Sequence, residues 1–336
     1  MQVTNHSPFA ASHITAWGRD GQELLVVIVK CTYAFEPDGR LLTAREQIPI
    51  MLADEFEPNR PLQMKRPSDF NTGKPGTDIL VLGSAWAPRG EPVTVMPLSL
   101  KVGPITVSAR VWGERWNEPS LLGWRLSAPR PFVRLPLTWE ASFGGTDPDH
   151  PEKAFWPDNP IGRGYLAGRP SSRDPVPAPH LEWMDSPYRG FSDPPLTLGF
   201  GPVHPAWKPR RQYAGTYDER WRENRAPFVP EDFDNRFFHL APPYLRTAEP
   251  LKGGEEVVWQ GFHPAMPSSF QLPRPSHEVV YRQRVLESRL DTVWLMPDEK
   301  VLSMAWRTTL PLPRSASTLV VVSILGKPLV RLGSPS

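Results

Sequence analysis

Hydrophobic positions fall into three zones along the chain. In the first zone, Ser12 to Trp17 and Leu24 to Phe35 are apolar runs separated by the polar turn Gly18–Gln22. The run Leu24 to Phe35 is apolar at both odd and even positions, which predicts a strand covered on both faces. Pro37-Asp38-Gly39 then predicts a hairpin turning into Leu41 and Leu42. Glu55 to Gly76 mixes charge, Pro and Gly and is expected to be a loop. Ile79 to Ala87, Val93 to Val102 and Ile105 to Val111 have the length and alternation of antiparallel strands. Phe132 to Phe143 predicts another, pushed to an edge or bulge by Pro131 and Pro136.

The middle zone differs. Gly144 to Leu198 contains no strand pattern longer than a few residues. Gly199 to Arg246 follows, dense in Trp, Tyr, Phe, Arg, Asp and Pro. There Thr216-Tyr217-Asp218-Glu219 fits a capping box that opens a short helix through Arg225. Glu231 to Leu240 predicts a second helical turn stopped by Pro242 and Pro243. The last zone returns to strands: Glu256 to Phe262, Val279 to Glu287, Leu290 to Met296 and Lys300 to Thr309 around Pro297-Asp298-Glu299, and Ser317 to Leu325.

The expected fold is mainly β, with antiparallel, sandwich-like sheets formed by the N- and C-terminal thirds and a Pro- and aromatic-rich irregular middle carrying short helices. The boundaries expected are 1–143, 144–255 and 256–336, and the two β regions can share one sheet system.

Composition supports a β-rich, loop-rich chain. There are 43 prolines in 336 residues, and proline is poorly tolerated inside helices. An apolar fraction of 39% argues against disorder. A net charge of +2 points to neither a nucleic-acid nor a membrane partner. No apolar run approaches the length that spans a bilayer, and no leader pattern precedes Ala10, so a cytoplasmic location is expected. The single cysteine, Cys31, excludes an intramolecular disulfide and fits a buried, inert thiol.

Candidate chemistry is sparse. Asp147-Pro148-Asp149-His150 reads as a solvated turn rather than a metal cluster. The eight histidines make no ligand spacing, so no metal or cofactor is expected. Ser142-Phe143-Gly144-Gly145 does not match a nucleophile elbow, and no catalytic residue is assigned. Gly162-Arg163-Gly164 and Gly199-Phe200-Gly201 are expected to be turns of positive φ. Glu231, Asp232 and Asp234 are paired carboxylates, readable either as hydrolytic groups or as helix-end charge.

The aromatic and arginine content of Gly199 to Arg246 carries more information. Trp207, Arg210, Arg211, Tyr213, Tyr217, Trp221, Arg222 and Phe237 are candidate protein-binding residues, because Trp, Tyr and Arg dominate interface hot spots. The competing use is internal: cation–π pairs and Arg–Asp bridges that pin an irregular segment onto a β core. Both uses can hold.

Several segments together resemble a known family. They are KPGTDILVLGSAWAP (Lys74 to Pro88), LTWEASFGGTD (Leu137 to Asp147), NPIGRGY (Asn159 to Tyr165), GFGP, GTYDERW and PEDFDNRFFHLAPP within Gly199 to Arg246, GGEE (Gly253 to Glu256), and LDTVWLMPDEKVLSMAWR (Leu290 to Arg307). The family is that of bacterial unknown-function domains encoded beside VgrG spike and PAAR-tip proteins in type VI secretion loci. The resemblance implies a cytoplasmic adaptor or chaperone without catalytic residues. It would bind a toxin effector and help load it onto the spike, with the effector and the VgrG and PAAR proteins as partners. Two other functions remain open: a carboxylate-dependent hydrolase of carbohydrate or peptide using the middle region, and a structural part cosecreted with the spike.

Overall fold

In the computed structural model, which describes residues 2–168, 172–191, 193–312 and 321–326, the strand Glu23–Phe35 is the spine of a six-stranded sheet. It pairs antiparallel with Ala10–Trp17 on one side and Val301–Pro311 on the other. Arg289–Met296 and Asp78–Val81 extend the sheet, and Leu41–Thr43 folds back on the far end of the spine. A five-stranded antiparallel sheet runs Leu181–Trp183, Ile105–Trp112, Val95–Val102, Glu256–Gln260, Ser269–Gln271. A four-stranded sheet joins Gln2–His6 to Val321–Gly326, His277–Tyr281 and Arg284–Leu286. The protein is mainly β with several antiparallel sheets.

The spine shows why its sequence is apolar throughout. Leu25, Val27, Val29, Cys31, Tyr33 and Phe35 enter the main core. That core also takes Leu98, Leu100, Val107 and Val111 from the five-stranded sheet, and Val279 and Ile324 from the four-stranded one. Each such side chain stabilises the fold by about 1.5–3 kcal/mol when fully buried. The opposite face of the spine, with Val26, Ile28, Lys30 and Thr32, is also buried. Part of its cover comes from the segment after Leu41–Thr43: Gln47 accepts from Thr32 N, and Ile48 N donates to Thr32 Oγ1 at 3.0 Å. Val95–Val102 instead alternates cleanly, with Met96, Leu98, Leu100 and Val102 inside.

Strands from 1–143 and 256–336 pair directly in both larger sheets. The middle region contributes one strand, Leu181–Trp183, to the five-stranded sheet. It also sends Leu198, Phe200, Leu240 and Leu245 into the main core and is further pinned by two small aromatic clusters. One holds Trp139, Val203 and Trp207; the other holds Phe143, Ala178 and Tyr188. Among the described residues the only α-helices are Lys208–Arg211 and Glu219–Asn224.

Several expectations are corrected. Glu55 to Gly76 is not all loop, because Glu55–Glu57 and Arg60–Arg66 form a hairpin. Its side chains are mostly polar and exposed, so no apolar face betrays it. Ile79 to Ala87 splits into Asp78–Val81 and Ser84–Trp86, while Phe132 to Phe143 keeps only Arg134–Pro136 before a 3-10 turn at Trp139–Ala141. Val279 to Glu287 is a hairpin turned by Arg282 and Gln283, both at positive φ (47° and 62°). Trp116–Ser120 and Gly123–Leu126 form an unforeseen hairpin. Of the strand expected over Ser317 to Leu325, residues 317–320 lie outside the described residues; the strand seen is Val321–Gly326.

The capping box is replaced by a simpler cap. Asp218 Oδ1 accepts from Trp221 N at 2.8 Å, while Thr216 is held by Asp232, which accepts from Thr216 N and Oγ1. Gly164 has the expected positive φ of 89°, but Gly162, Gly199 and Gly201 do not. Gly199 is required by contact: a Cβ there would lie 2.4 Å from the Trp139 ring.

Candidate functional site

Two groups of side chains stand out: a buried line of charges and an exposed aromatic patch. The charged line begins where strands bring isolated polar residues into apolar surroundings. Lys74 precedes the strand Asp78–Val81, which runs parallel to Arg289–Met296 and places Asp78 beside Thr292. Lys74 Nζ pairs with Asp78 and donates to Thr292 Oγ1 at 3.0 Å. It also lies 3.1 Å from Asp291 Oδ2. Arg307 Nε donates to Asp291 Oδ1 at 2.8 Å, and its other two nitrogens donate to Asn71 O and Asp69 O. Asp69 in turn pairs with Lys30 at 2.9 Å. At the other end, Asp78 Oδ2 accepts from Leu240 N at 2.7 Å, and His239 Nδ1 lies 2.7 Å from Asp78 Oδ1.

Three cations (Lys30, Lys74, Arg307) therefore alternate with three carboxylates (Asp69, Asp78, Asp291), with His239 at the end. Burial pushes the Asp78 carboxyl up, but Lys74 and His239 outweigh it and hold the group below its ordinary range. Asp291 is lowered too; burial opposes this, and Arg307 and Lys74 prevail. A cavity of ≈ 490 Å³ opens beside Lys74, Asp291 and Arg307. The nitrogen groups of Lys74 and Arg307 already bond to protein acceptors. The line acts as a seam that stitches the middle region, through His239 and Leu240, to the central sheet.

The seam was not foreseen as a unit. The visible signal was a charge set in or beside an apolar strand, as at Lys30 and Asp78. Segments that carry the family resemblance converge here: KPGTD supplies Lys74 and Asp78, LDTVW supplies Asp291, SMAWR ends on Arg307, and FFHL supplies His239.

The eight composition-based candidates divide by burial. Trp207 is only 2% exposed and meets Trp139 edge-on, with ring centroids 5.3 Å apart. Arg210 is also buried, donating to Phe237 O and Val203 O at 3.0 Å each, and burial pushes its guanidinium down to about 10. These two are corrected from contact residues to internal clamps. Phe237 lies under Arg210 and Tyr213 under Arg236, so both half-buried rings serve cation–π pairs within the region. Arg211, Tyr217 and Arg222 are exposed, and Trp221 is half-buried.

Tyr217 and Trp221 meet edge-on with centroids 4.7 Å apart, and Trp221 Nε1 donates to Phe228 O at 2.8 Å. Phe228 meets Trp17 edge-on at 5.6 Å. Trp17 is 52% exposed and Tyr217 is 55% exposed. Arg225 donates to Val229 O and Arg19 O, and Arg19 donates to Glu231 O, tying the helical segment to the turn after Trp17. The patch thus joins Trp17 of the central sheet to Tyr217, Trp221 and Phe228 of the middle region. Trp17 escaped the sequence reading because it lies some two hundred residues away in the chain.

The carboxylates Asp232 and Asp234 organise their own loop. Asp232 accepts from Thr216, and Asp234 accepts from Arg236 N and Nε. Asp147, expected to be solvated, is buried and accepts from Asp149 N and Ala167 N. Among the described residues, no group of three His, Cys, Asp or Glu side chains is placed to hold a metal ion. No helix among them is long and apolar enough to cross a membrane.

A family model described as "Uncharacterized protein conserved in bacteria (DUF2169)" matches residues 20–307. No curated protein and no solved structure matches the chain.

Proposed function

The chain belongs to the DUF2169 family of bacterial proteins, and we propose that it is a non-catalytic adaptor. It binds a toxin effector in the cytoplasm and helps load it onto the type VI secretion spike of VgrG and PAAR proteins. The observation that carries the protein-binding part is the exposed patch of Trp17, Tyr217, Trp221 and Phe228, ringed by Arg19, Arg222 and Arg225. Aromatic and arginine side chains held rigidly at a surface are the usual anchors of protein interfaces. The effector and the spike enter through the resemblance of the quoted segments. The hydrolase reading gains less support, because Asp78 and Asp291 are buried in ion pairs, and Asp232 and Asp234 hold backbone and side-chain donors of their own loop.

The test is effector secretion in the native bacterium with and without this chain, together with co-purification of the effector. Secretion that persists after deletion refutes the adaptor. Glycan or peptide hydrolysis that is lost on Asp232→Asn would replace it with the enzyme. Apparatus-dependent release of the chain into the medium would make it a cosecreted part.

A further inference from the structure

The strand Ala10–Trp17 is an edge of the six-stranded sheet, paired only with Glu23–Phe35 among the described residues. At eight residues it is the longest edge strand described, and its register with the spine is unbroken by any bulge. Natural sheets blunt such edges with charge, proline, bulges, shortness or a covering segment. Several other edges show these devices, and the edge strand Gln2–His6 is only five residues long. Arg60–Arg66 carries Pro61, Lys65 and arginines; Ser269–Gln271 and Arg284–Leu286 are three residues long; Asp78–Val81 is flanked by the backbones of Phe200 and Arg246. Ala10–Trp17 reads AASHITAW and has none.

The hydrogen-bond parity of this edge is fixed. Gly18 N donates to Gln22 O at 2.8 Å, and Phe35 N donates to Lys300 O at 2.9 Å. In an antiparallel ladder, pairs that exchange bonds alternate with pairs that do not. Both bonds place the even residues of Ala10–Trp17 in bonded pairs with the spine. Ala11, His13, Thr15 and Trp17 then direct N–H and C=O outward. No hydrogen bond from these groups to another described residue is present. The last of them, Trp17, packs on Phe228 and so belongs to the exposed aromatic patch.

We infer that this edge accepts an extended segment of a partner polypeptide as an added antiparallel strand. The main chain supplies most of the recognition and the Trp17–Phe228 pair takes an apolar side chain at one end. This rests on the adaptor reading and gives it a binding mode, β-strand addition, which tolerates varied sequences because backbone groups do the pairing. The occupant's chemistry follows from the edge: alternating main-chain donors and acceptors, a neutral strand, and an aromatic end.

The experiment uses the full chain and a soluble synthetic strand peptide of alternating threonine and valine with one phenylalanine. Its comparator is the same peptide N-methylated at alternate residues. In the chain alone, the amides of Ala11, His13, Thr15 and Trp17 exchange quickly with deuterium, while those of Ser12, Ile14 and Ala16 are slow. The peptide slows the first set, and N-methylation weakens binding about tenfold or more, the effect of losing a few main-chain bonds. Thr15→Pro removes an outward N–H without touching the ladder to the spine, so it abolishes peptide binding while the melting temperature holds. Thr15→Lys, an edge-blocking charge, serves as the second variant should the proline variant unfold.

Slow exchange of the outward amides in the chain alone overturns the inference, since the edge is then already covered. So does a dimer in sedimentation that Thr15→Pro dissociates, because a second copy then fills the edge. Absence of peptide protection overturns it while leaving effector co-purification, and hence the adaptor, intact. Peptide protection combined with chain-independent effector secretion retains the edge site and removes the adaptor.

Discussion

The seam around Lys74 is built of charges and the patch around Trp221 of aromatic rings, and the two differ in what satisfies them. In the seam, every cation has a carboxylate or carbonyl partner inside the protein, and the paired side chains are almost wholly buried. In the patch, rings are held in place by edge-on contacts and one indole hydrogen bond, yet Trp17 and Tyr217 keep about half their surface exposed. Charge in this chain therefore marks a closed junction, and exposed rings mark a surface still open to contact. A buried ion pair offsets a desolvation cost and fixes which segments meet, whereas an exposed, immobilised ring has surface still to bury and lost its rotamer freedom when the chain folded.

The sharpest way to break this comparison is to unbalance the seam. Asp78→Ala leaves Lys74 without its nearest carboxylate and Leu240 N without an acceptor. The expected loss is about 3–5 kcal/mol, because an uncompensated charge stays buried. Urea unfolding measures it, and a loss below about 1 kcal/mol would mean that the seam is not tightly packed. The pair variant Lys74→Met with Asp78→Leu should recover part of the loss, which a double-mutant cycle reads as coupling.

Acid should loosen the same seam reversibly. The Asp78 and Asp291 carboxyls are lowered in the folded chain from an ordinary value of 3.8. A depressed folded value means that these groups stabilise the fold fully above the unfolded value. The contribution is then lost as pH falls through the folded one. The part of the melting temperature that depends on these two carboxyls, read as the difference from Asp78→Asn, should thus be level down to about pH 5 and fall below about pH 4. A curve that stays level to strong acid would remove Asp78 and Asp291 from the stability argument.

Trp207→Ala tests the other side of the division among aromatics. Trp207 fills the small core with Trp139 and Val203, so its truncation should cost about 3 kcal/mol, at the low end for buried tryptophan. Tyr217→Ala should shift stability by well under 1 kcal/mol, as exposed substitutions do. It should weaken partner binding about tenfold or more if the ring is an interface anchor. Calorimetric melting and partner titration on both variants give the comparison. Equal destabilisation by the two would erase the distinction between clamp and surface.

How far the sequence foretold this division depends on the residue. The spine Leu24 to Phe35 was legible because an apolar run on both faces has few other uses, and Pro297-Asp298-Glu299 announced its hairpin. The turn at Arg282 and Gln283 was illegible, since positive φ there falls on residues that do not advertise it. The polar hairpin Glu55–Glu57 with Arg60–Arg66 lacked a buried face to impose alternation. At the site, composition found the right segment but could not orient it. Trp207 and Trp221 look alike in the chain, and only the Trp139 ring and the approach at Gly199 decide which one goes inside. The seam and Trp17 depend on contacts between distant strands, which no local pattern carries.

The smallest effect is expected at Arg222, and it separates the anchor of the patch from its rim. Arg222 pairs with Glu219 on the surface of the helix Glu219–Asn224, with both side chains exposed. Such pairs are screened by water and contribute little to folding, so Arg222→Ala should leave the melting temperature unchanged. A rim charge acts mainly on the rate of encounter. Partner association should therefore slow by about twofold to fivefold at low salt, with dissociation unaltered and the difference vanishing as salt is raised. Surface-plasmon kinetics across a salt series reads this directly. A loss in the dissociation rate instead, persisting at high salt, would place Arg222 beside Tyr217 as a desolvated anchor and move the centre of the interface onto the helix.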